Sequence, residues 1–257
     1  MSNHSFVLDP EQGAAARVGD TLQLTGPEVH HAVVVKRVQP GERLDLLDGT
    51  GLRLVVEVSS AAKELLTVTV LERHQEQPPE HPATLIQALS KGDRDLQAVE
   101  SAVELGVFTV RPWQADRSIV RWNAAKADKA LAKWRAQVRS AQKQSRRTFE
   151  PGVKELVTSK SLAAAISAHA AAGDLVLVLH EQAQDSVTQA VSGWLPAAAP
   201  GTGVVLVVGP EGGISDAELE AFVAAGARPA LLGRHVLRAS TAGPAALVLV
   251  RHLLGEL

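Results

Sequence analysis

Apolar and polar positions along this chain of 257 residues fall into two regimes. Up to about residue 74 the apolar residues come in short runs broken by turn formers. That spacing predicts strands at 43–47, 52–58 and 65–71. Asp48-Gly49 lies between the first two, and this dipeptide readily adopts the positive φ of a tight hairpin turn. The stretch 75–82, QEQPPEHP, holds three prolines and no apolar anchor, which reads as a linker. From residue 83 onward, β-branched apolar runs alternate with helical periodicity. Strands are predicted at 84–89, 107–111, 175–179, 204–208 and 229–232. Helices are predicted at 93–105, where Gly106 is the stop, and at 124–145, 161–172, 186–194, 216–225 and 240–254. Alternation of this kind predicts an α/β domain with a mostly parallel sheet. The expected organisation is a small β domain over 1–74, a linker over 75–82 and an α/β domain over 83–257.

The most informative stretch is VVLVVGPEGGISDAELE, residues 204–220. An apolar run with the character of a buried strand stops at a glycine-rich turn. Ser215 then stands three residues before Glu218, the spacing of a capping box that opens a helix. A shorter strand, a loop over 233–238 and a helix from Ser240 follow. The turn is not G-x-G-x-x-G, because Pro210 and Glu211 separate Gly209 from Gly212, and no Lys-Ser/Thr pair follows to make a P-loop. Two readings are open for the turn alone. It is a tight strand-to-helix connection and nothing more, or it forms one wall of a ligand crevice built from backbone, which glycine lets a ligand approach closely.

Hydrophobic residues make up 46% of the chain, so global disorder is excluded. The sequence has no Cys, which removes disulfides, thiolate metal sites and a Cys nucleophile. No apolar run reaches membrane-spanning length, and MSNHSFVLDP lacks the layout of a signal peptide, so a soluble, cytoplasmic protein is expected. The net charge of −2 argues at first against a nucleic-acid partner, but its distribution does not. Residues 111–154 carry twelve Lys/Arg against three Asp/Glu, a net of +9, which leaves −11 for the remainder. Such a segment is either an RNA-facing stripe or a solvated helix face, since Lys126, Lys129, Lys133 and Arg135 share one Ala-rich helix.

GPEGGIS followed by LLGRHVLRASTA resembles the RsmE family of 16S ribosomal RNA uridine-N3 methyltransferases, within the SPOUT class. The resemblance continues through HHAVVVKRVQPGERLDLLDGTG, SKGDRDLQAVESAVELGV, DRSIVRW and AQKQSRR, in order, over nearly the whole chain. It implies a PUA-like RNA-binding β-barrel, then a SPOUT-type parallel sheet with a C-terminal trefoil knot. It also implies S-adenosyl-L-methionine as cofactor, 16S rRNA of the small ribosomal subunit as partner, and a homodimer whose partner chain contributes to catalysis. Neither membrane nor metal is expected. Cofactor-binding positions carried over are Leu179, Gly209, Glu211, Gly212, Leu232, Gly233 and Leu237. Leu and Gly backbone suits an adenine slot, and Glu211 either faces the sulfonium or stabilises the following helix.

The expected target atom, uridine N3, is protonated at neutral pH, so its proton must leave or the resulting anion must be stabilised. Arg147 and Arg238 are the cationic candidates; Arg147 is the better substrate anchor, and Arg238 orients the base or braces the cofactor loop. RNA contacts are expected from Arg121, Lys133, Arg139, Lys143 and Arg146. Two residues depart from the family pattern: Lys143 and Ser240 stand where it usually has Glu, which weakens any carboxylate mechanism. His180-Glu181 lacks the further ligands of a metal site, and His30-His31 reads first as a packing pair and second as an RNA contact. Trp122 is the tryptophan best placed for base stacking, the others being core or interface residues. The alternatives are a SPOUT enzyme acting on another RNA or on a ribose hydroxyl, and a non-catalytic RNA-binding protein.

Overall fold

A computed structural model describes residues 3–257, so the first two residues of the expected β domain lie outside the described ones. The chain divides into two compact units. One holds the residues up to Pro78 together with Gln142–Glu150; the other holds Pro79–Ala141 and Pro151–Leu257.

The first unit is built on a five-stranded sheet. Its elements are β1 (His4–Val7), α1 (Pro10–Ala15), β2 (Thr21–Leu24), α2 (Pro27–His30) continuing into a π-helical turn over His31–Val35, β3 (Arg43–Leu47), β4 (Leu52–Ala62) and β5 (Leu65–Gln75). The order is β1-β3-β4-β5-β2, with β1 parallel to β3 and the remaining pairs antiparallel. Leu44, Leu46, Leu54, Val56, Val68 and Val70 bury one face against Phe6, Leu8 and Val29. The predicted hairpin turns at Asp48, whose carboxylate accepts from the N–H of Thr50 (2.7 Å) and of Leu52 (3.0 Å), while Gly49 has φ +78°. Residues 147–150 lie against this turn: Gly51 N–H donates to the Thr148 carbonyl (3.2 Å), and Thr148 Oγ1 donates to Glu76 (2.7 Å).

β1 and β2 escape periodicity because four residues are too few to show alternation. α1 had a legible start, with Asp9 as N-cap and Pro10 in the first turn, and pattern reading passed over it.

The second unit contains β6 (Ala83–Ala88), α3 (Arg94–Glu104), β7 (Thr109–Gln114), α4 (Ala124–Ser145, its last turn counted with the first unit), β8 (Gly152–Val153), β9 (Val157–Thr158), α5 (Ser159–Ala171), β10 (Leu175–Leu179), α6 (Val187–Trp194), β11 (Val204–Val208), α7 (Asp216–Ala224), β12 (Arg228–Ala230) and α8 (Ala239–Leu253). All its strand pairs are parallel, in the order β12-β10-β11-β6-β7-β8, with β9 also on β7. All five residues of β11 are buried, as an apolar run in a central parallel strand requires. Alternate side chains feed two cores. Leu85, Leu206 and Leu177 face α3, α4, α6 and α8, while Ile86, Val205 and Val207 face α5 and α7. β7 starts at Thr109, two residues later than predicted. Gly106, at φ +98°, ends α3, and the N–H of the fully buried Val107 returns to the Ala102 carbonyl (2.9 Å), so Val107 belongs to the helix cap.

The capping box at Ser215 forms as predicted, but Glu218 does more than cap α7. Its carboxylate is buried and accepts from the Asp116 N–H (2.8 Å), Ser159 Oγ (2.5 Å), the Ser215 N–H (2.9 Å) and Ser215 Oγ (3.0 Å). One side chain thereby fixes the end of β7, the start of α5 and the start of α7. Burial pushes its pKa up, but the hydrogen bonds from Ser159, Asp116 and Ser215 outweigh burial and hold it below the ordinary glutamate value. A depressed folded-state pKa contributes stability that is full above the unfolded-state pKa and is lost as pH falls through the folded-state value. Glu218→Gln should therefore cost about 2 kcal/mol at neutral pH, the scale of hydrogen bonds to a charged group. Urea midpoints of parent and variant should converge as the pH is lowered into the acid range. A pH-independent gap would assign the loss to packing.

Candidate active site

Open parallel sheets carry ligand sites at the carboxyl ends of their strands, and the second unit has a cavity there. Its volume is about 580 Å³, within the usual range for small-molecule sites. Its walls come from the end of β10 (Leu179 to Gln182), the turn after β11 (Gly209 to Ile214) and the start of α8 with its preceding loop (Val236 to Ala242). Arg94 and Arg117 close one side. A second cavity of about 190 Å³ adjoins it through shared residues Leu179, His180, Glu181, Val236, Leu237 and Ala242, and adds Leu232 and Gly233.

All seven residues expected to bind the cofactor line these two cavities. Gly209, Glu211 and Gly212 line the larger, Leu232 and Gly233 the smaller, and Leu179 and Leu237 both. The glycines differ in what holds them. A Cβ on Gly209 would meet Ile214 Cγ1 at 2.7 Å, and one on Gly212 would meet Arg117 Cβ and carbonyl oxygen at 3.1 Å each. These two are glycine because the loop folds tightly on itself and on its neighbour. A Cβ on Gly233 has nothing within 4 Å, so nothing within this chain requires glycine there.

Glu211 has a partner that sequence reading did not weigh. Its Oε1 accepts from the Lys91 N–H (3.2 Å) and from Arg94 (3.3 Å), which ties the turn after β11 to the turn after β6. The carboxylates in the first turn of α7 are Asp216 and Glu218. Arg238 lines the larger cavity and is the N-cap residue of α8, its carbonyl accepting from Thr241 N–H (2.8 Å) and Ala242 N–H (2.9 Å); its side chain is exposed. Ser240, in place of the family's usual Glu, is half-buried in the first turn of that helix.

The remaining candidates are spread over both units. Arg147 belongs to the first, where its N–H donates to the Gln142 carbonyl (3.1 Å) and its carbonyl accepts from Gln142 Nε2 (3.0 Å). Lys143, also there, pairs with Glu28 at 3.0 Å, both side chains largely shielded. Arg146 has φ +58° and is exposed, as is Arg139 on α4. Lys133 pairs with Asp93 (2.9 Å), both side chains more than half exposed, a contact of little energetic weight. Arg121 donates to the Asp116 carbonyl (2.8 Å). His31 packs edge-on against Phe6, ring centroids 5.9 Å apart; burial first, then Lys143, lowers its pKa, which favours the neutral form. Trp122 is half-buried and edge-on to the buried Trp134. Among the described residues no group of three His, Cys, Asp or Glu could hold a metal ion, and no helix is long and apolar enough to cross a membrane.

Sequence reasoning missed Arg94 and Arg117. Both lie in stretches that carried the family resemblance, but their approach to the glycine turn depends on how the sheet brings distant loops together.

Residues 76–251 match the family described as RNA methyltransferase domain, and residues 24–71 match the RNA methyltransferase PUA domain. The chain is thus a two-part RNA methyltransferase by class. It is 42% identical over 94% of its length to the ribosomal RNA small subunit methyltransferase E of Mycobacterium bovis, covering 88% of that protein. The Bacillus subtilis protein of the same name is 28% identical, with 86% of each chain covered. The crystal structure of a ribosomal RNA small subunit methyltransferase E from Neisseria gonorrhoeae, bound to S-adenosyl methionine, superposes with a TM-score of 0.81 at 28% identity, covering 98% of each chain. The chain belongs to the ribosomal RNA small subunit methyltransferase E family. The family is S-adenosylmethionine-dependent, and the fold is the expected α/β sheet preceded by a PUA-like domain.

The two glycine environments separate by stability in the absence of any ligand. Gly209→Ala should cost about 1–3 kcal/mol through overpacking against Ile214. Gly233→Ala should stay within about 0.5 kcal/mol of the parent, as an unencumbered surface change does. Urea denaturation of the ligand-free protein measures both, and equal losses would contradict this account of the turn.

Proposed function

We propose that this protein transfers a methyl group from S-adenosylmethionine to N3 of a uridine in 16S rRNA of the small ribosomal subunit. The observation that carries the reading is the convergence of β10, the turn after β11 and the loop before α8 on adjoining cavities lined by all seven expected cofactor residues. The cofactor fits what is there. Leu179, Val208, Leu237 and Ala242 supply apolar wall for an adenine, and Glu181, Glu211 and Asp216 supply negative charge for a sulfonium. Gly233 leaves open space where a side chain would otherwise stand. When bound, S-adenosylmethionine supplies an electrophilic methyl group.

The chain's own residues supply the rest. Leu179, Gly209, Gly212, Leu232, Gly233 and Leu237 hold the donor, and Arg238, at the cavity's edge, faces the anion that develops as N3 gives its proton to water. A cation in that place removes the need for a strong carboxylate base, in keeping with Ser240 and Lys143 where the family usually has Glu. The PUA-like domain and the basic residues Arg121, Lys133, Arg139, Lys143, Arg146 and Arg147 engage the RNA. Lys143, tied to Glu28, contributes less than the exposed cations. The domain boundaries given by the sequence, the C-terminal knot and a cytoplasmic location belong to the same reading. So does a homodimer: Val236 and Leu237 are 79% and 40% exposed beside the cavity, apolar surface that a second chain would cover.

The test is reverse transcription through the small-subunit ribosomal RNA of a strain lacking the gene. Methylation at N3 blocks Watson–Crick pairing, so a stop present in the parent should vanish in the deletion and return with this chain. An unchanged stop pattern, with normal binding of the donor, would move the reaction to another RNA or a ribose hydroxyl. Failure to bind S-adenosylhomocysteine at all would favour a non-catalytic RNA-binding protein. Arg238→Ala should lower the single-turnover rate on the order of a hundredfold while RNA affinity changes little. Raising the pH should partly restore that rate, because solvent then removes the N3 proton. A parent-like rate, or a loss that tracks donor affinity alone, would remove Arg238 from the chemistry.

A further inference from the structure

We propose that Arg117 is a positioning residue for the methyl donor: its guanidinium locks two peptide planes of the 209–214 turn in the shape the ligand meets. This rests on reading the larger cavity as the donor site.

Arg117 Nη1 lies 3.4 Å from the Gly212 carbonyl and 3.4 Å from the Ile214 carbonyl, donating to both. Each of those peptide planes is held at its other end as well. The Gly213 N–H donates to the Pro210 carbonyl (2.9 Å), and the Ser215 N–H to Glu218 (2.9 Å). With Arg117 in place, neither the 212–213 plane nor the 214–215 plane can rotate without breaking a hydrogen bond at both ends. Without it, each keeps one tether. A glycine-rich turn needs such restraint because glycine itself restricts φ and ψ so little.

The backbone that carries Arg117 is anchored independently. The Asp116 N–H donates to Glu218 (2.8 Å), the Ser118 N–H to the Ala115 carbonyl (3.1 Å), and Ser118 Oγ to the Leu89 carbonyl (3.2 Å). The exposed guanidinium therefore extends from a fixed base at the ends of β6 and β7. A Cβ added to Gly212 would come within 3.1 Å of Arg117 Cβ and its carbonyl oxygen, so the two turns lie close together with no room for a side chain between them. Gly212, Gly213 and Ile214 border the cavity, and the core contact of this stretch is made by the buried Ile214 side chain, whereas Arg117 holds only the backbone carbonyls. The restraint thus bears on ligand geometry more than on global stability. Both contacts come from the one nitrogen Nη1, so a lysine ammonium, with three N–H donors on a side chain of different reach, substitutes in part.

The experiment is calorimetric titration of the full chain with S-adenosylhomocysteine, using the parent, Arg117→Ala, Arg117→Lys and Gly233→Ala. Thermal unfolding without ligand and RNA binding at several salt concentrations accompany it. Arg117→Ala should weaken S-adenosylhomocysteine binding about tenfold, the scale of losing hydrogen bonds from a charged donor. Arg117→Lys should fall between parent and Ala. The ligand-free unfolding midpoint should stay within about 2 °C of the parent. In turnover, Arg117→Ala should raise KM for the donor and keep kcat at saturation within about twofold, because a restraint on binding does not alter the transition state once the donor is seated.

Unchanged S-adenosylhomocysteine affinity in Arg117→Ala, beside weakened binding in Gly233→Ala, would overturn the latch and leave the cavity assignment standing. Unchanged affinity in both variants would overturn the cavity assignment and the latch with it. A large fall in the ligand-free unfolding midpoint would make Arg117 merely structural. A flattened salt dependence of RNA binding with donor affinity intact would make it a phosphate contact instead.

Discussion

The buried carboxylate of Glu218 is the interaction on which the geometry of the site depends. A charge out of water is tolerated only when its lone pairs are satisfied, and here backbone and hydroxyl donors from three elements meet on it. That requirement brings the end of β7 and the starts of α5 and α7 to one point. The turn after β11 is thereby fixed at its exit, and the Asp116–Ser118 turn is fixed beside it. Trp113 adds to the junction by donating from its indole N–H to Ser159 Oγ (3.2 Å), packing edge-on against Phe222 from α7 (5.4 Å) as it does so.

From that fixed point the glycine turn is held on two sides. Glu211 reaches the turn after β6, and Arg117 reaches back from the turn after β7. The cavity is consequently a backbone structure framed by charges. Arg94, Arg117 and Arg238 stand against Glu181, Glu211 and Asp216 around it. Near-balance of this kind suits the donor proposed for it, a zwitterionic amino acid bearing an additional sulfonium charge. On the same proposal Arg238, exposed at the edge, is the cation offered to an incoming base.

At Lys143, where the family resemblance implies a glutamate, Glu28 supplies the opposite charge at 3.0 Å, so the position is held by an ion pair of largely shielded side chains within the first unit. In the surrounding segment, Thr148, Phe149 and Glu150 lie against the Asp48–Gly51 turn. This stretch, read as part of the α/β domain from its place in sequence, is grouped by its contacts with the β unit.

The sequence by itself determined most of the local elements and supplied the candidate residues of the site. The apolar run of β11, the Ser215–Glu218 capping box, the stop at Gly106 and the hairpin turn at Asp48 were all legible, because each is set by chemistry within a turn or two of chain. The seven cofactor candidates came with the family motifs, and the fold gathers them around adjoining cavities. Short strands such as β1 and β2 were not legible, since they owe their existence to pairing with β3 and β5. Only the tertiary structure decided the partners of charged groups. Glu211 finds Arg94 at a separation of 117 residues, Lys143 finds Glu28 at 115, and Glu218 finds the Asp116 amide at 102. Nothing local encodes those pairings. Those of Glu211 and Glu218 follow from the strand order β12-β10-β11-β6-β7, which places turns far apart in sequence side by side at one edge of the sheet, while that of Lys143 follows from the grouping of residues 142–150 with the first unit.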